Sequence, residues 1–534
     1  QAYRFSGGFI ASYEFTNYLS PLIPFLTSLL FRIGFVSETS LFVVTGAFYP
    51  IATIGIYYLL NIRFNKVYSS FGAILYGSLF VNLMWAANGT IDLPSIALAI
   101  WALYFFIKAM EENQKYFYIA FPLAALSFFA KYTGVFIIAV MLIYFLTKHN
   151  ISAQIKKYIK NLIGGVIAGG ILFIPFFAYY YLNNLPLGFL SQVAEVSREN
   201  ILANQTGASI TNQTGASITN QSANDLFFYF TSMPRFIYSP QKLLSYLIML
   251  IGLIGLIYGI YKLASTLKNY YKNTDGKISL DGLNIKFNKN LYFIVMVIAT
   301  ILIIGSFLSA GMISVIMNEA ILLLGLFIFA ITFSSILNNL KENDYKYFSY
   351  DFTLISWFLI CLIFFSSHLI KADRYFTAFA PGFVFFITLS VELIANRIKI
   401  QKFNMNKGDG TKIAKSLLSI LTVILLLASI GYLTIDHHDT LVDNEKDSAL
   451  WIEENVPDYQ NTIIWADRGP IYTWYLKTSI DYREDTSKID NITSFLENKN
   501  ADYYISNTYN DTIANFTKVK SFGEVSIYKK DNLK

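Results

Sequence analysis

Between Lys415 and Asp436 the chain reads Ser416-Leu-Leu-Ser-Ile-Leu-Thr-Val-Ile-Leu-Leu-Leu-Ala-Ser-Ile-Gly-Tyr-Leu-Thr-Ile435, twenty residues without a charge. As a helix, such a run covers about 30 Å, the thickness of a bilayer's hydrocarbon core. In lipid a helix satisfies its own backbone hydrogen bonds, so this stretch reads as a membrane span. Working outward from it, eleven more apolar runs recur, at about 37–60, 67–87, 93–109, 116–130, 133–148, 161–182, 241–262, 291–309, 320–338, 351–369 and 376–396. The fourth and fifth of these are short. Composition agrees with about twelve spans. Hydrophobic residues make up 54% and charged residues 14% of the 534 positions, more apolar surface than a water-soluble chain could hide. The one cysteine, Cys361, lies in an apolar run, so an intrachain disulfide is excluded.

Orientation follows from the positive charges. With the first residues outside, the inner loops hold 22 Lys and Arg, from Arg63 and Lys66 to Lys412 and Lys415. The outer loops between spans hold Lys131, Arg198, Arg235, Lys242, Lys371 and Arg374 alone. Cytoplasmic loops carry the excess of Lys and Arg, so both ends of this sequence are expected outside. The chain opens on Gln1, outside and without a signal peptide. We therefore expect a domain truncated at its N-terminus, missing a span and the start of the loop after it.

The first 436 residues read as one transmembrane domain. Tyr18-Leu-Ser-Pro-Leu-Ile-Pro-Phe-Leu26 has two prolines and predicts an interfacial helix rather than a span. Residues 183–240 form a long outer loop. It holds an eight-residue repeat, Asn204-Gln-Thr-Gly-Ala-Ser-Ile-Thr211, copied at 212–219, too polar to pack. From 437 to 534 the balance turns to 17 acidic against 11 basic residues. Strands over 462–466 and 501–506 and helices over 448–455 and 489–499 predict a small α/β domain outside the cytoplasm.

Charge near the membrane core is costly and marks candidate sites. Asp92, in Ile91-Asp-Leu-Pro-Ser95, opens a span. It reads either as a helix N-cap before Pro94, or as a boundary carboxylate that takes a proton or binds a metal. Glu319, at an outer helix end, reads either as a catalytic acid or, more plainly, as an N-terminal charge favoured by the helix dipole. Asp436-His-His-Asp439 has metal-binding residue types, but adjacent histidines turn poorly to one ion. Trp465-Ala-Asp-Arg-Gly469 reads as a strand followed by a turn.

Ser20-Pro-Leu-Ile-Pro-Phe-Leu26, Ile91–Ser95, Leu126-Ser-Phe-Phe-Ala-Lys-Tyr-Thr-Gly134 and Asp373-Arg-Tyr-Phe376 with Pro381 stand in order along the chain. Together they resemble the protein O-mannosyltransferase and aminoarabinose-transferase group of GT-C membrane glycosyltransferases (glycosyltransferase family 39). The resemblance implies inverting transfer of one hexosyl or pentosyl unit from a polyprenyl-phosphate-linked donor to a protein, lipid or glycan acceptor at the outer face. It makes Asp92 the candidate catalytic acid of a later outer loop. The family's first-loop acid has no match here, since Glu14 does not align with its motif. The resemblance also places Lys131 and Arg374 at basic positions of the family, with Lys371 and Tyr375 beside them. A departing phosphate gathers negative charge, and cations in a dry site stabilise it. Snorkelling to the interface is the plainer account of each cation.

Trp465–Gly469 echoes an oligosaccharyltransferase signature with one Trp missing, so an oligosaccharyltransferase-like enzyme is one alternative. A transporter or lipid flippase is another, though neither a two-fold repeat nor charge at mid-span supports it. No P-loop and no dinucleotide fingerprint is found. No cofactor is certain, Mg or Mn is an open option, and no nucleic-acid partner is expected. Richness in Ile, Lys, Asn, Phe and Tyr suits an AT-rich prokaryotic genome, hence a plasma membrane.

Overall fold

A computed structural model describes residues 20–148, 151–182, 187, 189–190, 225–238, 242–273, 277–280, 285–340, 347–368, 371–397, 407–434, 440–482, 492–507 and 512–531. The repeat at 204–219, Glu14 and Asp436–Asp439 lie outside the described residues.

The chain is an integral membrane protein. Among the described residues nine helices are long and apolar enough to cross a bilayer, or ten if one bent pair counts as a span. Twelve were expected, and the difference sits largely in the fourth and fifth runs. They fold as Phe117–Ala130 and Phe136–Leu146, only 14 and 11 residues long. At 1.5 Å per residue neither crosses 30 Å unaided. A break at Lys131 and a 3-10 turn over Tyr132–Val135 shorten both.

The second run is the bent pair, Lys66–Ser78 and Phe80–Ala87, meeting at 52°. No proline causes the bend. Leu79 leaves helical geometry, and side chains take up the backbone around it. Tyr49 donates to the Gly77 carbonyl, and the Asn82 amide donates to the Tyr76 carbonyl at 2.8 Å.

Helix Leu22–Arg32 packs Ile23 against Leu98 and Ala130, with Leu41, Val44, Ile91 and Leu126 around them. That contact gathers the starts of helices Glu38–Asn61 and Asp92–Glu111 and the end of Phe117–Ala130 at one end of the bundle. At the other end Arg63 bridges Asp351 at 3.0 Å and Glu392 at 2.9 Å, tying three helices together.

Residues beyond 440 build a separate α/β unit. Strands β3 (Ile464–Ala466), β4 (Asp481–Tyr482), β5 (Tyr503–Ser506), β6 (Phe516–Phe522) and β7 (Val525–Lys530) form one sheet in the order β4-β3-β5-β7-β6. An earlier pair, β1 (Lys277–Leu280) and β2 (Ile285–Asn288), is a separate hairpin. β3 runs parallel to β4 and β5, whereas β7 is antiparallel to both β5 and β6. Helix Thr440–Asn455 packs Ala449 and Ile452 on the sheet with Tyr472, Ile505 and Ile527.

The unit meets the bundle at its Asp92 end. Glu38 accepts from Lys446 at 3.2 Å and Tyr475 at 2.9 Å, and Trp474 stacks on Phe31 with centroids 5.9 Å apart.

Candidate active site

The site starts with a turn. Gly89 has φ +67°, and a Cβ there would come within 2.8 Å of Phe42. This position takes glycine because the left-handed backbone and the crowding both exclude a side chain. The turn delivers Thr90, whose hydroxyl donates to Asp92 Oδ2 at 2.7 Å.

Asp92 is the first helical residue and is 3% exposed; the cap position belongs to Ile91, without a side-chain cap bond. The N-cap reading is thereby corrected. The carboxylate turns to a cation instead of the helix's own N–H groups. Lys131 Nζ donates to Asp92 Oδ1, across 39 residues of sequence.

Two serines set that meeting. Ser95 Oγ donates to the Ser127 carbonyl at 2.9 Å, and Ser127 Oγ donates to the Ser95 carbonyl at 2.8 Å. Ser95 lies three residues after Asp92 and Ser127 four before Lys131, so the reciprocal pair locks the two helices one turn below the ion pair. Gly134 folds back over the same place, where a Cβ would stand 2.5 Å from the Ser127 oxygen. Both serines fall inside the motifs that carried the family resemblance, but their pairing has no signal in one sequence.

The Lys131 ammonium also faces the Tyr375 ring, 4.7 Å from its centroid, and Phe365 at 5.8 Å. Tyr375 stacks on Phe365 with centroids 4.4 Å apart. Arg374 also stands beside that tyrosine, its guanidinium carbon 5.4 Å from the ring centroid, close enough for its charge to act on Asp92. Arg374 Nε is buried without a hydrogen-bond partner among the described residues. The fold thus brings together Asp92, Lys131, Arg374 and Tyr375.

Lys371 takes another course. It is 7% exposed, and its ammonium donates to the carbonyls of Ser366 and, at 2.6 Å, His368. These lie at the end of helix Phe348–Ser367, so Lys371 satisfies a helix C-terminus. Burial pushes its ammonium down to about 8, against the pull of Asp225. Burial, with the charges of Lys371 and Lys131, pushes the neighbouring His368 down to about 4.

Three further features enlarge the picture. Arg235, in sequence only an outer-loop charge, donates to Asp373 at 2.5 Å beside Arg374. Glu319 lies past the first turn of its helix, 6% exposed, with both oxygens unpartnered among the described residues; the dipole reading is corrected. In Trp465–Gly469, Asp467 accepts from Tyr504 at 2.5 Å and Ser506 at 2.8 Å, while Arg468 donates to both oxygens of Glu445. That motif is consumed in holding its own domain together.

Among the described residues no three His, Cys, Asp or Glu side chains converge on a metal position. Among the described residues the donor set around Asp92 is one carboxylate already held by an ammonium.

Residues 19–179, which include Asp92 and Lys131, match the family described as dolichyl-phosphate-mannose-protein mannosyltransferase. The chain is similar to GT-C membrane glycosyltransferases. Arg374, Tyr375 and Lys371 lie beyond the matched residues. No curated protein sequence matches the chain. Solved structures of two membrane enzymes are among those that align along most of it. One is the Archaeoglobus fulgidus oligosaccharyltransferase in complex with Zn and sulfate, at 13% identity and TM-score 0.45, over 92% of this chain and 59% of its own. The other is ArnT from Cupriavidus metallidurans bound to undecaprenyl phosphate, at 11% identity and TM-score 0.41, over 99% and 91%. The chain therefore spans less than two thirds of the archaeal enzyme's length.

Proposed function

We propose that this protein moves a sugar from a polyprenyl-phosphate-linked donor to an acceptor at the outer membrane face, with inversion. The observation that carries the reading is the convergence of one buried carboxylate, Asp92, with two cations, Lys131 and Arg374, around Tyr375. The family matched by residues 19–179 uses a lipid-phosphate sugar by its description, which supports the donor class.

In this reading Lys131 and Arg374 hold the donor phosphate beside the Tyr375 ring. As the phosphate draws the Lys131 ammonium, Asp92 is released to accept a proton. The acceptor's nucleophilic atom attacks the anomeric carbon opposite the phosphate. The bond from that carbon to the phosphate oxygen breaks, and its electron pair leaves on the phosphate. The acceptor's proton passes to Asp92. Residues 1–436 are the catalytic membrane domain, residues 437–534 lie outside the cytoplasm over its acceptor side, and a prokaryotic plasma membrane fits the composition. Lys371 adds positive potential beside the phosphate, with two of its three ammonium N–H groups held by backbone carbonyls.

Labelled polyprenyl-phosphate sugars offered to membranes containing the full chain test this. Transfer by the wild type that Asp92→Asn abolishes at equal protein level supports the reading. Failure of every donor, or full transfer by Asp92→Asn, overturns it.

A further inference from the structure

The turn that carries Arg374 also carries an acid. Asp373 directly precedes Arg374 in the 3-10 turn Asp373–Tyr375. A carboxylate next to an arginine in sequence is free to pair with it unless something else holds it. Here something does. Arg235 Nη2 donates to Asp373 Oδ1 at 2.5 Å.

Arg235 is itself firmly seated. It lies on the short helix Met233–Ile237, its guanidinium 5.8 Å from the Phe228 centroid and 5.4 Å from that of Phe236. Both rings are buried. From the same segment the Tyr229 hydroxyl donates to the Ala372 carbonyl at 3.5 Å. Residues 225–238 therefore grip the two positions just before Arg374. With Asp373 held, Arg374 keeps a buried Nε that no described residue accepts from.

We propose that Arg235 is a positioning residue for the anion site: it sequesters Asp373, so that Arg374 faces the incoming phosphate. This inference rests on the donor-phosphate reading above. It makes a prediction that a merely structural arginine would not. Removing Arg235 frees Asp373 to capture Arg374, and removing Asp373 as well abolishes the competitor.

The experiment measures binding of undecaprenyl monophosphate to the full-length protein in lipid nanodiscs by native mass spectrometry, with thermal unfolding alongside. Arg235→Gln is expected to weaken binding by roughly tenfold, and Arg235→Gln with Asp373→Asn to return it within about threefold of wild type. Arg235→Lys, which keeps the charge, is expected to bind near wild type. Unchanged binding in Arg235→Gln, or a double variant no better than the single, overturns the inference while leaving the anion site intact. If Arg235→Gln does not fold, wild-type-like binding by Arg235→Lys and by the double variant supports it, and weak binding by a folded double variant overturns it. A folded wild type that does not bind the probe overturns the donor-site reading, and this inference with it.

Discussion

Breaking the Asp92–Lys131 pair from each side, and then from both, separates its part in folding from its part in chemistry. Asp92 is 3% exposed, and the Lys131 side chain is 17% exposed. Lys131→Met leaves the carboxylate in a dry site with Thr90 as its remaining hydrogen-bond donor among the described residues. Removing one member of such a pair costs about 3–5 kcal/mol, much of it the stranded charge. Asp92→Asn strands the ammonium, which the Tyr375 face compensates in part, so its cost is expected at the lower end, about 2–3 kcal/mol. In Asp92→Asn with Lys131→Met neither member of the pair is left without the other, and only Arg374 loses a longer-range counter-charge, so stability is expected to recover to within about 1–2 kcal/mol of wild type. Cys361 is the one cysteine in the chain and is buried, so its labelling by a thiol-reactive dye during heating reports unfolding directly. Transfer assayed on the same preparations then reads the chemistry. The double variant is expected to be stable yet to lose at least about 100-fold in transfer. If both single variants melt within about 0.5 kcal/mol of wild type, the pair does not form as described. If the stable double variant transfers at the wild-type rate, neither group takes part in the reaction.

Three further outcomes are expected. Gly134→Ala drives a methyl against the Ser127 carbonyl and shifts the Lys131 turn, whereas Ser127→Ala removes only hydroxyl bonds. Melting should fall by about 1–3 kcal/mol for Ser127→Ala and by more for Gly134→Ala, with transfer lost in the glycine variant. Arg468→Met strands Glu445, which is fully buried, and should cost the C-terminal domain about 3–5 kcal/mol, read as earlier proteolysis of that domain under native conditions. For Lys371, held near 8 in the fold against an ordinary 10.5, the unfolded chain binds the proton more tightly. Its penalty is therefore full below about pH 8 and is relieved as pH rises toward 10.5, by up to about 3 kcal/mol. The melting difference between wild type and Lys371→Met should move in favour of the wild type across that window. A flat difference would refute the burial argument.

What the linear chain determined by itself is what depends on neighbours in sequence. The uncharged run Ser416–Ile435 has to be a helix in lipid, because its backbone has no other partners there. The change in charge balance after residue 437 marks a water-facing domain for a similarly local reason. Strands β6 and β7 escaped notice because Lys518 and Lys520 face solvent on one, while the other is buried on both faces and shows no alternation. The site lies between these extremes. Asp92, Lys131 and Arg374 drew attention as charges at span ends, but a charge at a span end can cap, snorkel or react, and only its partner decides. Asp92 and Lys131 meet because Ser95 and Ser127 fix two antiparallel helices in one register. Lys371 ends on carbonyls because its loop folds back on the helix before it. Arg235 reaches Asp373 from 138 residues away. Such pairings depend on packing angles and on the order in which helices neighbour one another, to which dozens of distant residues contribute at once. Tertiary structure decides them, by selecting which of several equally charged side chains share a dry volume small enough for Coulomb forces to matter.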